Sequence, residues 1–242
     1  GDSAGETADN SASDNGDSAP SGTSGNDNAG GKKSAPRRPQ VAAPVPIPAG
    51  THSYDTDGTT TVSGNTRRMP KSTTLTARGP RGDEQTQIRD LRDSDGNGTV
   101  VETRLLYREE GVYITYVKIT ASFPGGFTDV RELQPAKPEL IAPTGAKPGA
   151  SASFSMEGSG TRADVDVAAK RFEDVAVGGT NVRTLVIDTK IVFSGAIEGR
   201  QTSTSWFEGE HAMAVREAVA TDVSSGPIRL QSQYQAQLTR LP

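Results

Sequence analysis

The stretch GVYITYVKITASF, residues 111–123, decides the fold class by its period of two. Tyr113, Thr115, Val117, Ile119, Ala121 and Phe123 fall on one face. Ile114, Tyr116, Lys118 and Thr120 fall on the other. Successive strand side chains point to opposite faces, so the pattern predicts a strand with one packed and one wetter side. RADVDVA (162–168) alternates more strictly, setting Ala163, Val165 and Val167 against Arg162, Asp164 and Asp166. IRLQSQYQAQL (228–238) sets Ile228, Leu230, Tyr234, Ala236 and Leu238 against four glutamines. In VRTLVIDTKIVF (182–193), Leu185, Ile187, Ile191 and Phe193 share a side, interrupted by Thr189.

Further strands are predicted at 59–62, 85–91, 100–107, 127–133, 152–156 and 202–207. Strings such as DSDGNG, REEG, FPGG, EGSG and SSGP supply Gly, Asp, Asn and Pro for the turns between them. The best helix candidate, VAAKRFEDVA (167–176), is short and reads equally well as a strand and a turn. One-sided strands are the antiparallel signature. The expectation is an all-β domain, an antiparallel meander of about ten strands. Spacing alone does not choose between a half-barrel, a sandwich and a closed barrel.

The chain before residue 49 has a different composition. Residues 1–31 are mostly Gly, Ser, Asp, Asn, Ala and Thr, without Lys, Arg or aromatics. Such a stretch buries too little apolar surface to offset its ordering entropy, so it is expected to be disordered. GKKSAPRRPQVAAPVPIPAG follows and reads as a semi-extended spacer. The domains expected are a tail and spacer over 1–48 and a β-domain over 49–242. Starting with Gly rather than Met, the chain reads as a processed product. The tail then reads as the stalk of an exported protein whose anchor, a lipid-bearing Cys or a membrane helix, has been removed. An ordinary disordered extension of a soluble protein is the alternative.

A net charge of −4 with no continuous basic face argues against a nucleic-acid partner. The absence of Cys excludes disulfides and thiolate ligands. No apolar run approaches the length of a membrane span, so the chain would meet a membrane only through that anchor.

Two segments together, FEDVAVGGTNVRTLVIDTKIVFSG and TSTSWFEGEHAMAVREAV, resemble the C-terminal half of bacterial envelope domains of the LolA/LppX half-barrel group. The residues that carry the likeness are Gly178-Gly179, Val182 to Leu185, Gly195, Gly199, Trp206-Phe207 and Val215-Arg216-Glu217. EGEHAMA departs from that group's usual Gly-Val-Gly turn. The resemblance implies a half-barrel, an extracytoplasmic location in the bacterial envelope, and a concave sheet that cups an apolar molecule such as a lipid tail. The ligand-binding residues picked on that basis are Phe154, Leu185, Phe193 and Trp206. A closed β-domain acting as a surface or assembly module, engaging an envelope protein partner, is the second reading. A hydrolase, which would need clustered His, Asp, Glu or Ser that the sequence does not display, is the third.

No catalytic residue, metal or cofactor is expected, because each site-like string has a simpler reading. GDSAG (1–5) has the form of a nucleophile elbow but sits in the tail. GSGTRA (158–163) has dinucleotide-type glycines between two alternating segments, where a hairpin turn fits better. Asp93, Asp95, Asn97 and Gly98 match the front of a calcium loop, but Arg104 stands where its bidentate Glu belongs. RGD (81–83) is a three-residue string in a polar segment. Arg67, Arg68, Lys71, Arg78 and Arg81 form a basic set in one long loop-like region, a surface for anionic lipid or wall polymer if not simply solvated. His52 and His211 are the only imidazoles, and His211 lies in a turn with Glu208 and Glu210.

Overall fold

A computed structural model describes residues 42–242. Residues 1–41, with the expected tail and the GDSAG string, lie outside the described residues. Within them the chain is all-β, with no helix. The strands are β1 (Gly50–Val62), β2 (Asn65–Arg68), β3 (Ser72–Ala77), β4 (Glu84–Asp90), β5 (Gly98–Arg108), β6 (Gly111–Ser122) and β7 (Thr128–Pro135). They continue as β8 (Glu139–Pro143), β9 (Ser151–Gly158), β10 (Thr161–Val177), β11 (Thr180–Gly195), β12 (Glu198–Glu208), β13 (Ala214–Ser225) and β14 (Ile228–Leu238).

The sheet closes on itself. β14 pairs with β1 from Tyr54 opposite Leu238 to Val62 opposite Leu230, so the half-barrel expectation is corrected to a closed antiparallel barrel. Of the fourteen strands, β2 and β8 lie off the ring, which leaves twelve in it. Closure removes two edges that would otherwise carry unpaired backbone groups. Gly58 makes the seam sterically feasible. A Cβ there would sit 2.3 Å from the Gln233 carbonyl oxygen and 2.5 Å from the Tyr234 Cα.

The strand count exceeds the expectation partly because β2, β3 and β8 lack a strong apolar signal. The region read as one long basic loop contains β2 and β3. The helix candidate 167–176 lies wholly within β10.

Burial follows the alternation over much of the long strands, but on β11 Thr184 and Val186 are buried while Leu185 is only half-buried. Ala163 and Val165 face the core from β10, as do Ile187 and Phe193 from β11, while Ala236 and Leu238 do so from β14. The opening stretch departs from its strict pattern at one place. Arg104 pairs with Tyr116 but Leu105 pairs with Ile114, so Thr115 is an extra, bulged residue. The bulge changes the face on which the alternation continues, so Val112 and Ile114 are buried along with Val117.

Two apolar clusters fill the barrel. One joins Leu105, Ile114, Leu133, Met156, Val165 and Phe193. The other, toward one end, joins Ile47, Tyr54, Leu75, Val177, Trp206 and Leu238. That end is plugged by the Pro-rich segment just before β1. Ile47 is 1% exposed. Its N–H donates to Gln85 Oε1 at 3.0 Å, and Gln85 Nε2 donates to its carbonyl at 2.6 Å. Gln85, itself buried, thereby replaces a strand ladder for a segment in which alternate residues are proline. Val45 N–H adds a bond to the Glu210 carbonyl at 2.8 Å.

Candidate ligand-binding mouth

The antiparallel order sends the β1–β2, β4–β5, β6–β7 and β13–β14 turns to the end opposite the plug. Part of this mouth is bridged. Arg131 Nη2 on β7 donates to Ser225 Oγ on β13 at 3.3 Å, and Ser225 Oγ donates to Asp129 Oδ2 at 3.2 Å. These strands are not neighbours in the sheet, so the bonds cross the barrel rather than follow it.

Beside that bridge a cavity of about 570 Å³ stays open. Val62 on β1 and Ile228 and Leu230 on β14 line its wall, all on the face that turns toward the core farther along these strands. Met69, Leu91, Phe123 and Phe127 line it from the neighbouring turns. Phe123 and Phe127 stack with centroids 5.7 Å apart, and Phe127 is 53% exposed. Thr60 and Ser232 add hydroxyls, the first donating to the second at 3.3 Å. The charged groups on the lining are Arg67 and Arg68 of β2 and Asp93 of the β4–β5 turn. The volume lies within the usual range for small-molecule pockets, and the lining mixes the apolar side chains with a comparable number of polar ones, Asn65, Asn97 and Ser122 among them.

Deeper in, the interior becomes polar and filled. Arg89 on β4 reaches across to Glu217 on β13, with side chains 12% and 18% exposed. The Arg89 guanidinium lies 3.7 Å from the centre of the Tyr54 ring. Tyr54 donates its hydroxyl hydrogen to the Ala214 carbonyl at 2.8 Å, and burial pushes its pKa up to about 12. Burial and then the Glu217 charge raise Tyr234 still further above the ordinary tyrosine value. Gln87 Nε2 donates to the Tyr107 hydroxyl at 3.0 Å. This network holds opposite walls together and is closely packed.

The four residues picked from the sequence go elsewhere. Phe193 is buried in the first cluster, with Phe154 packed against it. Trp206 is buried in the second cluster, 4.7 Å under the Arg216 guanidinium. Leu185 pairs with Phe207 across β11 and β12. The structure brings Phe154 and Phe193 together but not all four, and none of them lines the mouth cavity.

The other strings find local roles. Glu208 is buried and accepts the N–H groups of Glu210 and His211 at 2.8 and 2.7 Å, so it caps the β12–β13 turn. His211 Nδ1 lies 3.4 Å from the same carboxylate. Asp93 Oδ1 accepts the N–H groups of Asp95 and Asn97, both at 2.9 Å, which is turn chemistry. Among the described residues no group of His, Cys, Asp and Glu is placed to hold a metal. GSGTRA spans the β9–β10 hairpin turn, and RGD lies in the β3–β4 connection. The basic set is divided: Arg67 and Arg68 are at the mouth, Arg78 and Arg81 at the plugged end.

Sequence reasoning missed Val62, Leu230 and Phe127 as site residues because nothing local marks which end of a barrel is left open. Comparison with known proteins finds no family model, no curated protein and no solved structure that matches the chain.

Proposed function

We propose that this chain is a non-enzymatic, exported binding protein, tethered to a bacterial cell envelope, whose open barrel mouth takes up an apolar small molecule. The observation that carries the reading is the asymmetry of the barrel. One end is sealed by Ile47 and its clamp to Gln85, while the other opens into a cavity of about 570 Å³ with an apolar wall of Val62, Ile228, Leu230 and Phe127. Apolar lining left open to water is a standing free-energy cost that a ligand removes by covering it. The envelope location draws on the Gly/Ser/Asp-rich stretch, the Pro-rich spacer and the likeness to the half-barrel group.

The test is fluorescence titration of the full chain with a neutral apolar dye, alongside Leu230→Trp, which fills the cavity from its wall. Saturable binding that is lost in the variant, with the far-ultraviolet spectrum unchanged, is the expected result. Absence of binding, or equal binding by the variant, refutes the mouth as the site.

A second reading, a module that engages another envelope protein, draws on an open polar trough of about 890 Å³ on the solvent-facing side. Asp57, Gln235, Ala218, Thr204, Asp188, Ala168 and Ser151 lie directly opposite one another across seven strands along it. Partner capture abolished by Thr204→Arg but untouched by Leu230→Trp favours this second reading.

A further inference from the structure

Resting on the mouth reading, we infer that the ligand is an amphiphile with an acidic head, a carboxylate or phosphate, held at the rim by Arg67 and Arg68. Both arginines come from β2, which pairs with the end of β1 so that Arg67 lies opposite Thr60 and Arg68 opposite Thr59. Thr60 itself lines the cavity, so this register puts Arg67 on the cavity face, while Arg68 starts from the opposite face and meets the lining only at the rim. β2 is exposed along its whole length, and its side chains are free to turn toward a ligand.

The charge at the rim is not neutralised. Among the described residues Asp93 is the only carboxylate on the lining, against two guanidinium groups. One Asp93 oxygen is occupied by the backbone of its own turn, and the other lies 3.7 Å from Arg67 Nη1. Both side chains of that pair are well exposed, so the bridge is weak and a ligand anion exchanges for it at little cost. Arg68 has no carboxylate within salt-bridge distance among the described residues. A guanidinium offers a planar fork of donors that matches carboxylate and phosphate oxygens; Arg67 presents one from the cavity face, and Arg68 adds its charge at the rim. A cationic head would meet repulsion here, and a neutral head would gain no charge-assisted bond.

The experiment is calorimetric titration of the full chain with dodecanoate, dodecyl phosphate, dodecanol and dodecyltrimethylammonium, at low and high salt. The acids are expected to bind about tenfold more tightly than the alcohol, the scale of one charge-assisted contact. That ratio should fall toward one in Arg67→Gln/Arg68→Gln and as salt rises, and Arg67→Lys/Arg68→Lys should restore part of it. A larger gain for the phosphate than the carboxylate identifies a phospholipid-type head, and the reverse a fatty-acid-type head. Equal binding of acid and alcohol, or preference for the cation, overturns the acidic-head inference and leaves the mouth as the site. Binding of none of the four overturns the mouth reading itself.

Discussion

Replacing Glu217 by Ala removes the partner of a guanidinium that spans the barrel interior. Arg89 would keep only the Tyr54 ring at 3.7 Å, worth about 0.5–2 kcal/mol as a cation–π contact. Leaving one member of a buried pair uncompensated costs about 3–5 kcal/mol. With side chains 12% and 18% exposed, some water reaches the pair, which places the expectation near the lower end, about 3 kcal/mol. Arg89→Met strands the Glu217 carboxylate in its turn, but Met fills much of the guanidinium's volume and Glu217 is the better hydrated of the two, so the cost should be lower, about 2 kcal/mol. The double variant Arg89→Met/Glu217→Ala should be no less stable than Glu217→Ala alone, giving a coupling energy of about 2 kcal/mol. Equilibrium urea unfolding of the four proteins, with the denaturant slope compared to confirm a common transition, measures this. A Glu217→Ala cost below about 1 kcal/mol, or additive single effects, would mean the pair behaves as a surface bridge and refute the reasoning.

Two further outcomes come from the barrel's construction. Gly58→Val forces side-chain atoms into the Gln233 and Tyr234 backbone, so it should destabilise by about 1–3 kcal/mol and speed amide exchange along β1 and β14 before other strands; uniform or unchanged exchange speaks against the seam. Burial raises Tyr54 from 10.0 to about 12, so folding favours its protonated form. That stability is complete below pH 10 and disappears as pH rises through about 12, with Tyr107 and Tyr234 raised in the same direction. Tyrosinate absorbance should therefore rise together with loss of strand signal in alkali; early titration of all five tyrosines with the fold intact contradicts it.

Most strands were legible because the signal for a strand is local. Alternating Ala, Val, Ile and Leu against Asp, Gln and Arg in 162–168 and 228–238 set the buried face correctly. The alternation failed where one residue was added. Thr115 is bulged, and since strand period is two, a single extra residue moves every later side chain of the strand to the opposite face. β2 and β3 were hidden because NTRR and STTLTA carry little apolar contrast; they are held by pairing to β1. The site was less legible than the fold. Trp206 and Phe193 stand out by size, yet size does not reveal whether an aromatic fills a core or lines a cavity, and both fill cores. Arg67 and Arg68 stood out as part of a basic run, but only β2's register against Thr59 and Thr60 sets them apart from Arg78 and Arg81.

By itself, then, the sequence determined the all-β class, the turns and, in β10 and β14, which side chains turn inward. Those properties depend on neighbours one or two residues apart. Closure of the barrel, the plugged end, the Arg89–Glu217 crossing and the open mouth were decided by tertiary structure alone. Each depends on contacts between segments more than thirty residues apart in the chain: Tyr54 with Leu238, Ile47 with Gln85, Arg89 with Glu217, Val62 with Leu230. No local pattern encodes such pairings, because they are selected by the free energy of the whole enclosed core.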